Sequence, residues 1–205
     1  MTRKTRAETK QETRTKLLAT ARQWFTEKGY ADTVMDELTA AAGLTRGALY
    51  HHFGNKEGLF LAVALVLDEA LNQRLDALAA AQPSAWMALL ARCDEYLAMS
   101  LEPEVQRILL RDAPAVLSAD DLEASRRGCV LSLQSLLQQL QAEGILMPAP
   151  VEMQATMLNG ALMEASFRIG RVASAETALV ESQALYRRML AGFRGDQATG
   201  ATAND

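Results

Sequence analysis

Apolar residues recur at helical spacing from about residue 8 onward, and no stretch alternates apolar with polar residues over the length of a strand. Such a chain is expected to be all-α, because each amphipathic stripe must be covered by another helix rather than by a sheet. Leu17, Leu18, Ala21, Trp24 and Phe25 share one stripe of a first helix that should end at Gly29. Thr33 reads as the N-cap of a short helix carrying Val34, Met35, Leu38 and Ala41 and stopping at Gly43. Thr45 reads as the next cap, opening a helix of barely two turns, Arg46 to His52, with Leu49 and Phe53 facing inward. Asn55 should cap a long fourth helix in which Leu59, Phe60, Val63, Leu67, Leu71, Leu75 and Leu78 advance mostly in steps of four, bridging two domains. Beyond Pro83 helical patterns recur over residues 84–101, 103–113, 119–143, 150–171 and 175–193, which brings the expectation to about nine helices.

The net charge of −4 conceals two halves of opposite sign. Residues 1–60 carry +3 and residues 61–205 carry −7, and the positive charge concentrates at Arg3, Lys4, Arg6, Lys10, Arg14, Lys16 and Arg22. A polyanion would be drawn to that end, although a solvated basic arm could serve solubility alone. The longest uncharged stretch, Ala77 to Ala91, is shorter than the roughly 18–20 residues a membrane span needs, so no membrane segment is expected. Nor does an apolar run follow the basic residues as in a secretion signal, and a cytoplasmic protein is expected. The two cysteines, Cys93 and Cys129, lack paired spacing and suggest buried, reduced thiols. The two histidines, His51 and His52, are neighbours that diverge by about 100° on a helix, so no metal site is expected.

Residues 33–53 arrange helix, tight turn and helix in the manner that lets a second short helix enter the major groove. Gly43 can take a positive φ at the turn, and Ala40, Ala41 and Ala42 allow the two helices to approach closely. The outward face of the short helix is bare, offering Thr45, Arg46, Gly47, Ala48, Tyr50 and His51 for base edges and phosphates. The joint spacing of Gly29-Tyr30, Thr33-Val34, the run Ala42 to Phe53, and Asn55-Lys56-Glu57 resembles the DNA-binding domain of the TetR family over roughly residues 12–60.

The resemblance implies a helix-turn-helix DNA-binding domain at residues 1–60 with its basic arm, a helical effector-binding and dimerisation domain at 61–194, and a disordered tail at 195–205. It implies DNA-contacting roles for Thr33, Thr45, Arg46, Gly47, Ala48, Tyr50, His51 and Lys56. Thr33 and Lys56 would meet phosphates, and Arg46 is the candidate for reading a guanine through O6 and N7. Tyr50 and His51 would face the backbone, and His52 would pack inside the small domain.

For the larger domain the resemblance implies a cavity for a partly apolar small-molecule effector and a homodimer interface on the last two long helices. Cavity candidates are Trp86, Cys93, Tyr96, Met99, Arg111, Asp112, Met157, Met163 and Phe167. Interface candidates are Met153, Met157, Gly160, Ala161, Ala165, Leu179, Tyr186, Met189, Leu190 and Phe193, any of which could equally form an intrachain core. Pro114 should interrupt or end the sixth helix. The function implied is a homodimeric repressor released from a palindromic operator in double-stranded DNA by its effector. No cofactor is expected, and no catalytic motif is present to suggest an enzyme. Two alternatives stay open: a thiol-based redox regulator using Cys93 and Cys129, and a ligand-binding helical bundle with enzymatic activity.

Overall fold

The computed structural model describes residues 5–195; the expected disorder of the tail and the first basic residues of the arm fall outside them. All regular elements among the described residues are helical, and the sole β pairing there is an isolated bridge between Leu146 and Arg194. The α-helices are α1 (Arg6–Asp32), α2 (Met35–Ala41), α3 (Arg46–Phe53), α4 (Lys56–Ala80), α5 (Ala85–Ala98), α6 (Ala113–Val116), α7 (Ala119–Ala142), α8 (Val151–Ile169) and α9 (Ala175–Ala191). A 3-10 turn, Met99–Leu101, follows α5, and a π-helix, Val105–Asp112, precedes α6. The helix expected over 103–113 is therefore of the wider kind. The π-helix ends at Asp112 and Pro114 follows in the first turn of the short α6, so the proline interrupts the helical run at the end of the expected 103–113 segment.

Two compact units emerge, and their borders differ from a simple division after residue 60. The first unit joins the residues up to Leu71 with Glu102–Arg126; the second comprises Asn72–Leu101 and the residues from Arg127 onward. In the first unit the predicted stripe of α1 supplies Leu17, Ala21 and Phe25, all fully buried, against Leu38, Leu49, Leu59, Phe60 and Leu67. The Phe25 and Phe60 rings meet edge to face at 5.0 Å, and Tyr30 meets Phe60 at 5.1 Å. Burying each of these side chains is worth about 1.5–3 kcal/mol, enough to hold the short α2 and α3, which would not persist in isolation. Ile108, Ala113 and Leu117 extend this core from the chain's middle.

The second unit packs α5, α7, α8 and α9 around Leu89, Leu97, Leu133, Leu137, Leu140, Leu158 and Leu162. Among its described residues the core contains one charge: Arg92, 1% exposed, donates to Asp76 and to Asn72 Oδ1 at 3.1 Å. Tyr186, also buried, donates its hydroxyl to the Leu158 carbonyl at 3.0 Å. Its strand-like trim is small: Met147 N–H donates to the Phe193 carbonyl at 2.9 Å.

Asp68 on α4 gives the first unit a pH dependence. Burial pushes its carboxyl up to about 7, against the pull of Arg126, which lowers it. A carboxyl with a raised folded pKa favours the fold while protonated, so this contribution is complete below the unfolded value near 4 and is lost as pH rises through about 7. Raising pH from 5 to 8 should lower stability by on the order of 2 kcal/mol through this group. The Asp68→Asn variant should lose that part of the slope, which urea unfolding of both proteins at the two pH values will measure.

Candidate nucleic-acid interface

The turn between α2 and α3 is built as the sequence predicts. Gly43 takes φ 61°, its N–H donates to Ala40 O at 2.9 Å, and Leu44 N–H reaches Thr39 O at 2.9 Å. Thr45 caps α3, accepting from Ala48 N–H at 3.2 Å. Leu49 is fully buried, which fixes the rotation of α3 and leaves Thr45, Arg46, Gly47, Tyr50 and His51 exposed and Ala48 half-buried. A side chain built on Gly47 would meet little besides Thr45 Oγ1 at 3.9 Å, so this face is open. Asn55 caps α4 through Gly58 N–H at 2.7 Å.

Arg46 is already engaged. Its Nη1 lies 3.1 Å from both Asp36 carboxylate oxygens, and its Nη2 is 3.1 Å from the Tyr50 hydroxyl. Sequence reasoning places Asp36 only near the start of α2, three residues after Thr33; it missed the pairing with Arg46, because a pair ten residues apart across a turn leaves no periodic trace. The acid lies at the start of α2, where the helix dipole also favours it. At both ends of this pair the side chains are more than half exposed, so the bond is weak and exchangeable.

The Thr33 expectation needs correction. Thr33 is 2% exposed and ends α1 rather than capping α2: its hydroxyl donates to Gly29 O at 2.7 Å, and Val34 holds the α2 N-cap position without a side-chain bond. Its hydroxyl is thus committed inward, and only the neighbouring backbone could approach a phosphate. The α1 helix does bend at Gly29 (φ 81°, ψ 175°) but resumes to Asp32. Lys56 packs beneath that bend, its Nζ 4.5 Å from the Tyr30 ring centre and 3.2 Å from Ala31 O. Burial lowers its pKa, opposed by Asp32. His52 is half-buried rather than buried, and burial, His51, Lys10 and Arg14 lower its pKa in that order. Those two basic side chains of α1 therefore lie close enough to add to the same positive face, with Arg14 5.5 Å above the Phe53 ring centre.

The effector candidates do not form one group. Cys93 and Met99 are buried in the second unit, with Trp86, Tyr96, Met163 and Phe167 half-buried. Arg111 is exposed, and Asp112 is bonded to the Tyr30 N–H at 2.7 Å in the first unit. Met157 is 68% exposed, so it lines no enclosed space within its unit. Among the interface candidates Met153, Met157, Gly160 and Met189 are exposed, while Ala161, Ala165, Leu179 and Phe193 are half-buried against the core. Tyr186 and Leu190 are core residues, 5% and 1% exposed. Val180 and Leu185, 65% and 69% exposed, were not anticipated. Periodicity alone does not separate two apolar faces of one helix. Among the described residues no three potential metal ligands converge, and no helix is long and apolar enough to cross a membrane.

Comparison with known proteins bears on the whole chain. Residues 17–63 match the family described as bacterial regulatory proteins, tetR family, and residues 86–193 match the tetracyclin repressor-like C-terminal domain. A crystal structure of a TetR-family transcriptional regulator from Pectobacterium atrosepticum is 45% identical, with a TM-score of 0.83 over 93% of this chain and 98% of that one. The repressor AcnR of Corynebacterium glutamicum is 49% identical over 51 residues, which is 25% of this chain and only 27% of the repressor's length. The TetC protein of transposon Tn10 from Escherichia coli is 24% identical over 183 residues, covering 87% of this chain and 90% of TetC. The chain belongs to the TetR family of bacterial regulatory proteins.

Proposed function

We propose that the protein is a sequence-specific DNA-binding transcriptional regulator, a homodimeric repressor that a small-molecule effector releases from a palindromic operator. The open face of α3, pinned outward by the burial of Leu49, is the observation that carries this reading. Arg46 exchanges its Asp36 partner for a guanine edge, Thr45, Gly47 and Ala48 let the backbone approach, and Tyr50, His51 and Lys56 meet the sugar-phosphate backbone. The backbone around Thr33, rather than its hydroxyl, completes the phosphate contacts. Removing Arg46 by an alanine substitution is expected to relax preference at particular base pairs by about 1–3 kcal/mol, read from selection of bound sequences. Lys56→Ala should weaken all sequences alike and reduce the salt slope by about one. Uniform loss in the arginine variant would reassign it to phosphate contact.

A single reading head covers half of a two-fold site, so a dimer follows from the proposed operator symmetry. The exposed apolar side chains Met153, Met157 and Met189, with Val180 and Leu185, support an interface along α8 and α9, and Gly160 allows close approach because a Cβ there would meet nothing within 4 Å. Met157→Lys should weaken the dimer by at least about tenfold, visible as a concentration-dependent shift in sedimentation. Effector release would act by differential affinity for two arrangements of the dimer. Cys93, Tyr96, Met99, Met163 and Phe167 remain the candidate lining within the second unit. Against the redox alternative, burial pushes the Cys93 thiol far above its ordinary range, and both thiols are buried, so neither presents an exposed thiolate.

A further inference from the structure

We propose that Arg107 and Asp112, on a π-helix remote in sequence from the helix-turn-helix, are positioning residues for the phosphate-facing corner formed by Gly29, Tyr30 and Lys56. The inference rests on the DNA-binding reading above. Arg107 Nη2 donates to the Lys28 carbonyl at 2.7 Å, and its guanidinium lies over Gly29 so closely that a Cβ there would sit 1.8 Å from Nη2. Asp112 Oδ2 accepts the Tyr30 N–H at 2.7 Å and lies 3.4 Å from Arg107 Nε. Both neighbours of the bend are thereby held: the carbonyl before Gly29 and the N–H after it. Thr33 closes the same corner by donating to the Gly29 carbonyl.

The helix type explains how one element supplies both grips. In an α-helix residues five apart point about 140° away from each other, whereas the i→i+5 bonding of a π-helix brings them nearly into line. Residues 107 and 112 therefore face the same bend. Arg22, about two turns before the bend on α1, is fastened to Glu104 just before the π-helix by a two-pronged pair, with Nε 2.7 Å from Oε2. This anchors the π-helix along α1 and makes the geometry of the bend depend on it. What the bend positions is Tyr30, whose ring lies under the Lys56 ammonium, and Ala31, whose carbonyl accepts from it. Loss of either grip would free Tyr30 and Ala31 to shift and carry the ammonium with them, with no change to the base-reading face of α3.

The full-length protein is titrated with a mixed-sequence DNA duplex at several salt concentrations, alongside Arg107→Gln, Asp112→Asn, Lys56→Ala and the double variant of Arg107 and Lys56. Arg107→Gln should bind about tenfold more weakly with a salt slope lowered by about one, and should add little to Lys56→Ala in the double variant. Asp112→Asn, whose amide oxygen still accepts the Tyr30 N–H, should fold normally and show a smaller loss in the same direction. A merely structural role would lower the melting temperature but leave the salt slope of the folded fraction intact. Wild-type affinity and slope in both variants, or losses fully additive with Lys56→Ala, would overturn the positioning role while the DNA-binding reading stands. Failure of the unmodified protein to bind the duplex would overturn that reading itself.

Discussion

Gly47→Glu should leave the protein folded and reduce its affinity for operator DNA by about a hundredfold or more. The open space around Gly47 means that the new side chain clashes with nothing. In the first turn of α3 it also replaces a poor helix former and complements the helix dipole, so thermal stability should hold or rise by about 0.5–1 kcal/mol. The same carboxylate would stand on the face assigned to the major groove, among phosphates, where like charge costs several kcal/mol. Melting curves and gel-shift titrations on one preparation separate the two effects. A variant that melts as the wild type and binds as the wild type would remove α3 from the interface.

Gly29→Ala should destabilise the first unit by about 3 kcal/mol. At φ 81° and ψ 175° the backbone occupies a region open essentially to glycine alone, a cost of about 1–3 kcal/mol for any other residue. The added methyl would also displace the Arg107 guanidinium from its seat. At about 2–4 °C per kcal/mol for a chain of this size, the melting temperature should fall by roughly 6–12 °C. Differential scanning calorimetry provides the measurement, and a change under 2 °C would show that the bend relaxes without strain.

Local signals carried the small helices well. Gly43, Thr45 and Asn55 act through neighbours within a few residues, and each does in the structure what its residue type suggests. Thr33 misled because a hydroxyl at a helix junction can serve the helix behind it as readily as the one ahead, and the choice depends on the bend at Gly29. The roles of Arg107 and Asp112 were invisible for a different reason. Their partners lie about eighty residues earlier, and the π-helix that aligns them has no residue pattern of its own. The second unit was legible as helices but not as surfaces: Tyr186 and Met189 occupy neighbouring turns of α9, yet one is core and the other exposed. Which side of an apolar helix faces its own chain is decided by packing partners, and one-dimensional spacing does not name them.

On the proposed reading, in which Arg46 contacts a guanine, its tether to Asp36 would make base recognition an exchange. A guanine must outcompete a carboxylate that is already in place, so a wrong base, offering fewer acceptors, leaves the guanidinium at home. Overall grip is thereby reduced, by no more than the small worth of an exposed ion pair. A regulator arranged this way would travel quickly over unrelated DNA and stall only where the exchange is favourable.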